Sequence, residues 1–147
     1  MKTMKKIIML LAFGLTFSTS FAQNVATKEL LCKKWIVDDE SMKPVLLKMM
    51  KENPMAANAS DADLQIGLNM AMEQISGSKM EYKMDGSTAK VAKSGNSVGT
   101  WFLSPDGKEL TTKSDGKPDR VFSFAEITKT KLSLLSTDGK NIIFKSE

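Results

Sequence analysis

The chain predicts a mainly β protein: an eight-stranded antiparallel up-and-down barrel with a two-helix insertion after its first strand. Three observations carry that expectation. Four Asp-Gly pairs, Asp85-Gly86, Asp106-Gly107, Asp115-Gly116 and Asp138-Gly139, punctuate the second half. Asp-Gly is a preferred central pair of a tight hairpin turn, because Gly tolerates positive φ. Short runs that alternate apolar and polar residues lie around these pairs, which is the period of a half-buried strand. Ahead of them the pattern switches to helical spacing and the methionines crowd together.

The first residues stand apart from that fold. Lys2, Lys5 and Lys6 precede an apolar run from Ile7 to Phe17, and Ser20-Phe21-Ala22 places small residues where a signal peptidase cuts. Residues 1–22 therefore read as a secretory leader, and residues 23–147 as one exported domain, periplasmic or extracellular. The run is shorter than the roughly 20 apolar residues a spanning helix needs. Of 21 Lys and Arg, three lie in the leader, which leaves 18 against 17 acidic residues and lowers the formal charge from +4 to +1. Such a balance gives no clustered basic face for nucleic acid. Arg120 is the only arginine, and arginine is the usual residue for bidentate phosphate or base contacts.

The elements follow in order. Lys34 to Asp39 alternates as a first strand. Ser41 can cap a helix whose first turn tolerates Pro44, and Met42, Val45, Leu46, Met49 and Met50 repeat at helical spacing. Asn53-Pro54 ends it. Ser60 opens a second helix, with Asp61 and Asp63 in the turn where the helix dipole favours anions. Leu64, Leu68, Ala71, Met72 and Ile75 form its stripe, and Gly77 closes the insertion, which spans about residues 41–77. Eight methionines lie between Met42 and Met84. Met adapts to varied ligands, but it also fills gaps where helices meet a sheet. Lys43, Lys48 and Lys51 lie off the apolar stripe and read as a solvated face, so membrane contact is not expected.

Seven further strands are expected: Lys79–Met84, Thr88–Lys93, Val98–Ser104, Glu109–Lys113, Arg120–Ile127, Lys131–Ser136 and Asn141–Lys145. With the first they make eight, the number that closes a small barrel. The three-residue step from Phe124 to Ile127 breaks period two and predicts a bulge near Ala125.

Enzymatic chemistry finds little footing. The chain has no His and one Cys. That removes Ser-His and Cys-His nucleophile pairs, His-ligated zinc, thiolate zinc clusters and iron–sulfur sites. No Gly-rich phosphate loop is present. Asp38-Asp39-Glu40 is the densest acidic run, but adjacent residues of a strand point to opposite faces, so it reads as a solvated turn. Asp61 and Asp63 lack the remaining ligands of a calcium loop. Cys32, just before a strand, reads as a partly buried structural thiol. No enzyme activity, cofactor or metal is expected.

Three stretches resemble lipocalin-like domains of small secreted bacterial proteins, within the calycin group. Leu31-Cys32-Lys33-Lys34-Trp35 is similar to their opening Leu-x-Gly-x-Trp, with Lys33 in place of Gly. Gly99-Thr100-Trp101-Phe102-Leu103 followed by Asp106-Gly107-Lys108-Glu109-Leu110 resembles their mid-barrel hairpin. Ile127 to Leu134 resembles the turn into their seventh strand. The Thr-Asp-Tyr element of classical lipocalins is absent. The last strand lacks the Arg that stacks on the opening Trp, which leaves Lys145 as the available cation over Trp35.

The resemblance implies that the barrel holds a small hydrophobic molecule, a lipid or fatty acid. Candidate lining residues are Trp35 from the first strand and Met80, Tyr82 and Met84 from the second. Trp101 and Leu103 come from the fourth, Phe122 and Phe124 from the sixth. Leu132 and Leu134 come from the seventh, Ile142 and Phe144 from the eighth. The same side chains could instead fill the barrel solid, since eight strands permit either. Two classes therefore stay open: a carrier with a hollow lumen, and a non-enzymatic envelope module with a filled barrel that docks a protein through its helices.

Overall fold

The computed structural model describes residues 22–147, so residues 1–21, nearly all of the expected leader, lie outside the described residues. Residues 22–31 form helix α1. Strand β1 (Lys34–Val37) follows, then helices α2 (Asp39–Glu52) and α3 (Asp61–Ile75), joined through a single 3-10 turn at Pro54–Ala56. The remaining strands are β2 (Lys79–Tyr82), β3 (Ser87–Val91), β4 (Ser97–Leu103), β5 (Glu109–Lys113), β6 (Arg120–Ile127), β7 (Lys131–Ser136) and β8 (Asn141–Ser146). Each strand pairs antiparallel with its sequence neighbours, and β1 pairs with β8 to close the barrel. The register between β6 and β7 slips between Phe124 and Glu126, at the expected bulge.

The hairpins differ in detail from the expected form. All four Asp-Gly glycines have positive φ, but no non-glycine described residue does. An Asp-Gly pair at the centre of a type I′ turn would need positive φ at both residues. Instead the glycine amide closes the turn in three cases: Gly86 N–H donates to the Lys83 carbonyl, Gly107 to Ser104 and Gly139 to Ser136. The aspartate sits one step earlier and works as an acceptor. The Asp85 carboxylate takes the Ser87 amide at 2.8 Å and the Ser87 hydroxyl at 2.6 Å. These bonds hold its carboxyl below the usual range. Asp138, bound by the Lys140 ammonium and the Ser136 hydroxyl, is held down to about 2.

The helix starts carry one correction and one agreement. Asp38, rather than Ser41, is the residue before α2, and the Ser41 hydroxyl donates to its carboxylate at 2.6 Å. Asp39 therefore belongs to the helix rather than to β1. Pro44 falls one turn further in than expected, inside α2. At α3, Ser60 is the cap as expected, and it forms a reciprocal capping box with Asp63.

The two barrel ends differ. β1 begins at one end, and the turns after β2, β4 and β6 return to it. There α1 lies across the opening. Asn24 Nδ2 donates to the Ser104 carbonyl at 2.8 Å, and Trp35 Nε1 donates to the Leu31 carbonyl at 2.9 Å. Trp35, Leu110 and Leu132 are fully buried beneath it, as is Leu31 at the end of α1 itself. The expected cation over Trp35 is Lys33 rather than Lys145: its ammonium lies 5.2 Å from the ring and donates to the Lys129 carbonyl. The α2–α3 insertion rises from the other end, between the close of β1 and the start of β2.

Candidate functional site

Period-two alternation sends every second side chain of each strand inward. At the closed end those side chains are large. Tyr82 and Trp101 meet edge to face with centroids 6.0 Å apart, and the Trp101 indole donates to the Lys83 carbonyl. Towards the insertion end, β3, β4 and β5 turn Lys90, Ser97 and Thr112 to the lumen. None of these is a large apolar side chain that could fill the barrel. The result is a cavity of about 450 Å³, within the ordinary range for small-molecule sites.

The cavity wall has two characters. Val37, Met42, Leu46, Met49, Ile142 and Phe144 give it an apolar arc built from β1, α2 and β8. Met42 is the pivot of that arc. It is buried, and its sulfur accepts the Ile143 amide at 3.2 Å, which fixes α2 against β8. The facing arc, from β3 to β6, presents hydroxyls and cations, including Ser97, Thr112, Ser114, Lys90, Lys117 and Arg120. Tyr82 and Thr88 are cross-strand partners deeper in the lumen, and both are buried. Burial pushes the Tyr82 phenol well above its ordinary pKa.

The twelve residues expected to line the lumen fall into three groups. Met80, Tyr82, Phe122, Leu134, Ile142 and Phe144 line the cavity. Trp35, Trp101 and Leu132 are buried in the closed-end core, with half-buried Leu103 and Phe124 packed against it. They fill the barrel there and do not face the cavity. Met84 does neither: β2 ends at Tyr82, the Lys83–Gly86 turn breaks the alternation, and Met84 is 58% exposed. Inward-facing polar residues were outside the expected set, because an apolar filter passes over Thr88, Lys90 and Arg120. Their in-phase spacing with Tyr82 and Phe122 is the signal that could have found them.

Among the described residues, no three His, Cys, Asp or Glu side chains gather closely enough to hold a metal ion. No described helix is long and apolar enough to cross a membrane. Asp39 reaches the insertion end of the barrel, where one carboxylate oxygen accepts the Ser76 hydroxyl at 2.6 Å and the other is buried without a partner among the described residues.

A scan of the sequence against protein-family models gives no match, and a search of curated proteins gives none. Among solved structures, the fold is similar to that of a DUF4847 family protein from Bacteroides vulgatus ATCC 8482, with a TM-score of 0.53 and 16% identity over 80% of this chain and 93% of that one. At that identity the likeness concerns the fold alone.

Proposed function

We propose that the protein is an exported, non-enzymatic binding barrel of lipocalin-like type that holds a small hydrophobic molecule, a lipid or fatty acid, in its lumen. The observation that carries this reading is the cavity of about 450 Å³, closed below by α1 and the tryptophan-rich core and walled on one side by apolar side chains. A barrel serving only as a scaffold gains stability by filling such a space, because unfilled lining forfeits packing. The insertion contributes to the wall rather than lying away from it, through Met42, Leu46 and Met49. Export rests on the leader read from residues 1–22.

The test is native mass spectrometry of detergent-free protein, followed by titration with a neutral polarity-sensitive probe. A lipid adduct, or saturable probe binding that Ile142→Trp abolishes while the far-UV spectrum is kept, supports the carrier. A clean mass with no probe binding sinks it. A second reading, docking of a protein through the insertion, draws on Met55, Ile66 and Met70, which are exposed there.

A further inference from the structure

The charges around the lumen are of one sign. Five cationic residues, Lys79, Lys90, Lys117, Arg120 and Lys140, line the cavity, and no Asp or Glu does. Two of them are already answered: Lys79 pairs with Glu147, and Lys140 with Asp138. Lys90, Lys117 and Arg120 have no carboxylate partner among the described residues. The nearby Asp119 is turned to Lys113, 3.0 Å away, and does not line the cavity.

Their placement is one-sided. Lys90 lies on β3 beside Ser97 of β4, and Arg120 opens β6 beside Thr112 of β5. Lys117 stands in the turn between β5 and β6. Together they form a cationic, hydroxyl-bearing rim facing the apolar arc of α2 and β8. Beneath the rim the wall becomes apolar at Phe122, Leu134 and Phe144. A charge gradient of this kind suits a molecule with one anionic end and one apolar body. The anion can accept hydrogen bonds at the mouth while the body displaces water from below.

Resting on the carrier reading above, we propose that the ligand is a single-chain amphiphile with an anionic head group, bound tail-down, its head held at the β3–β6 rim by Arg120 and Lys90 with Lys117 beside them. A neutral lipid of equal length would leave the rim cations unmatched, and a cationic one would be repelled.

The test uses the delipidated protein and a neutral probe, N-phenylnaphthylamine, displaced by saturated alkanoates, alkanols and alkyltrimethylammonium ions of matched length, from octyl to hexadecyl, below their micelle concentrations. Alkanoates are expected to displace the probe about tenfold more tightly than alkanols, as for gain of one charge-assisted contact. That preference should shrink as salt is raised. The paired substitution Arg120→Gln with Lys90→Gln should erase it, leaving alkanol binding in place. A charge-matched control at the closed end, Lys108→Gln with Lys129→Gln, should keep it. Equal displacement by alkanoate and alkanol, or a preference that survives the rim substitutions, overturns the head-group assignment and leaves the carrier reading standing. A preference that falls with Tyr82→Phe but not with the rim pair overturns the tail-down orientation. Failure of every series, with no probe binding to displace, overturns both.

Discussion

Trp35 Nε1–H donates to the main-chain carbonyl of Leu31 across 2.9 Å, and both residues are fully buried. This bond joins the last turn of α1 to the second residue of β1, so the helix that closes the barrel is fixed to the strand that begins it. That carbonyl, in the last turn of the helix, accepts two donors: the Lys33 amide at 2.8 Å and the indole. The indole also fills the closed end. One side chain therefore seals the barrel and ends the helix.

Trp35→Phe should separate these roles. It keeps most of the ring volume and removes the donor. The expected loss is about 0.5–1.5 kcal/mol, the net contribution of one hydrogen bond, since the Leu31 carbonyl keeps the Lys33 amide. Trp35→Ala should lose about 3–5 kcal/mol, because a cavity is added. Urea unfolding followed by circular dichroism measures both. A phenylalanine variant as stable as the parent would show that the bond contributes nothing.

Gly107 tests the contact between α1 and the barrel. It has φ +70°, and a Cβ there would lie 2.9 Å from Asn24 Cα. Gly116 has φ +71° and open space around it. Gly116→Ala should therefore cost only the left-handed conformation, about 1–2 kcal/mol. Gly107→Ala should cost that plus displacement of α1, and its melting temperature should be the lower of the two. Equal losses would mean that α1 yields without penalty.

Strand positions were readable where the alternation ran uninterrupted between turns. β5, β6 and β7 begin and end where the pattern does, and the Phe124 to Ile127 step marks the bulge. Strand ends next to turns were less legible, as Met84 shows, because the last apolar residue of a pattern can belong to the turn. α1 escaped notice for a different reason. Only Thr27 and Leu31 of its residues are buried, one helical turn apart, so its stripe is too narrow to register as a helix in the sequence. Period two tells which side chains face inward, but not whether they touch. The cavity arises from short or polar inward residues on β3 to β5, and its cationic rim from Lys90 and Arg120. Neither feature is apolar, and the apolar wall residues Val37, Met42, Leu46 and Met49 come from the end of β1 and from α2, so the apolar alternation of the strands marks only part of the wall.

Cys32 follows α1 and is half-buried. Burial pushes its thiol pKa up, against a smaller opposing effect from Lys28. Since the thiolate is the reactive form, alkylation by iodoacetamide near neutral pH should be slow in the folded protein and reach the free-thiol rate in urea. Equal rates in both conditions would mean that the α1–β1 junction opens readily, which would also weaken the case for a sealed end.

Tyr82 is the chain's single tyrosine, so tyrosinate absorbance reports on it alone. Its ring lies deep in the lumen against Trp101, and burial raises the phenol pKa well above its ordinary value. The charged form is the one that burial disfavours. The unfolded chain therefore releases this proton at lower pH than the folded one. The stabilising effect of the neutral phenol is complete below the unfolded pKa of about 10 and is lost as pH rises towards the folded value. In an alkaline titration, tyrosinate should appear together with loss of the far-UV signal and not before it. Tyr82→Phe should remove that part of the alkaline destabilisation while keeping the ring packed on Trp101. Tyrosinate forming at an ordinary pKa in a still-folded protein would mean that water reaches the phenol freely, and that the lumen is wet down to the level of Thr88.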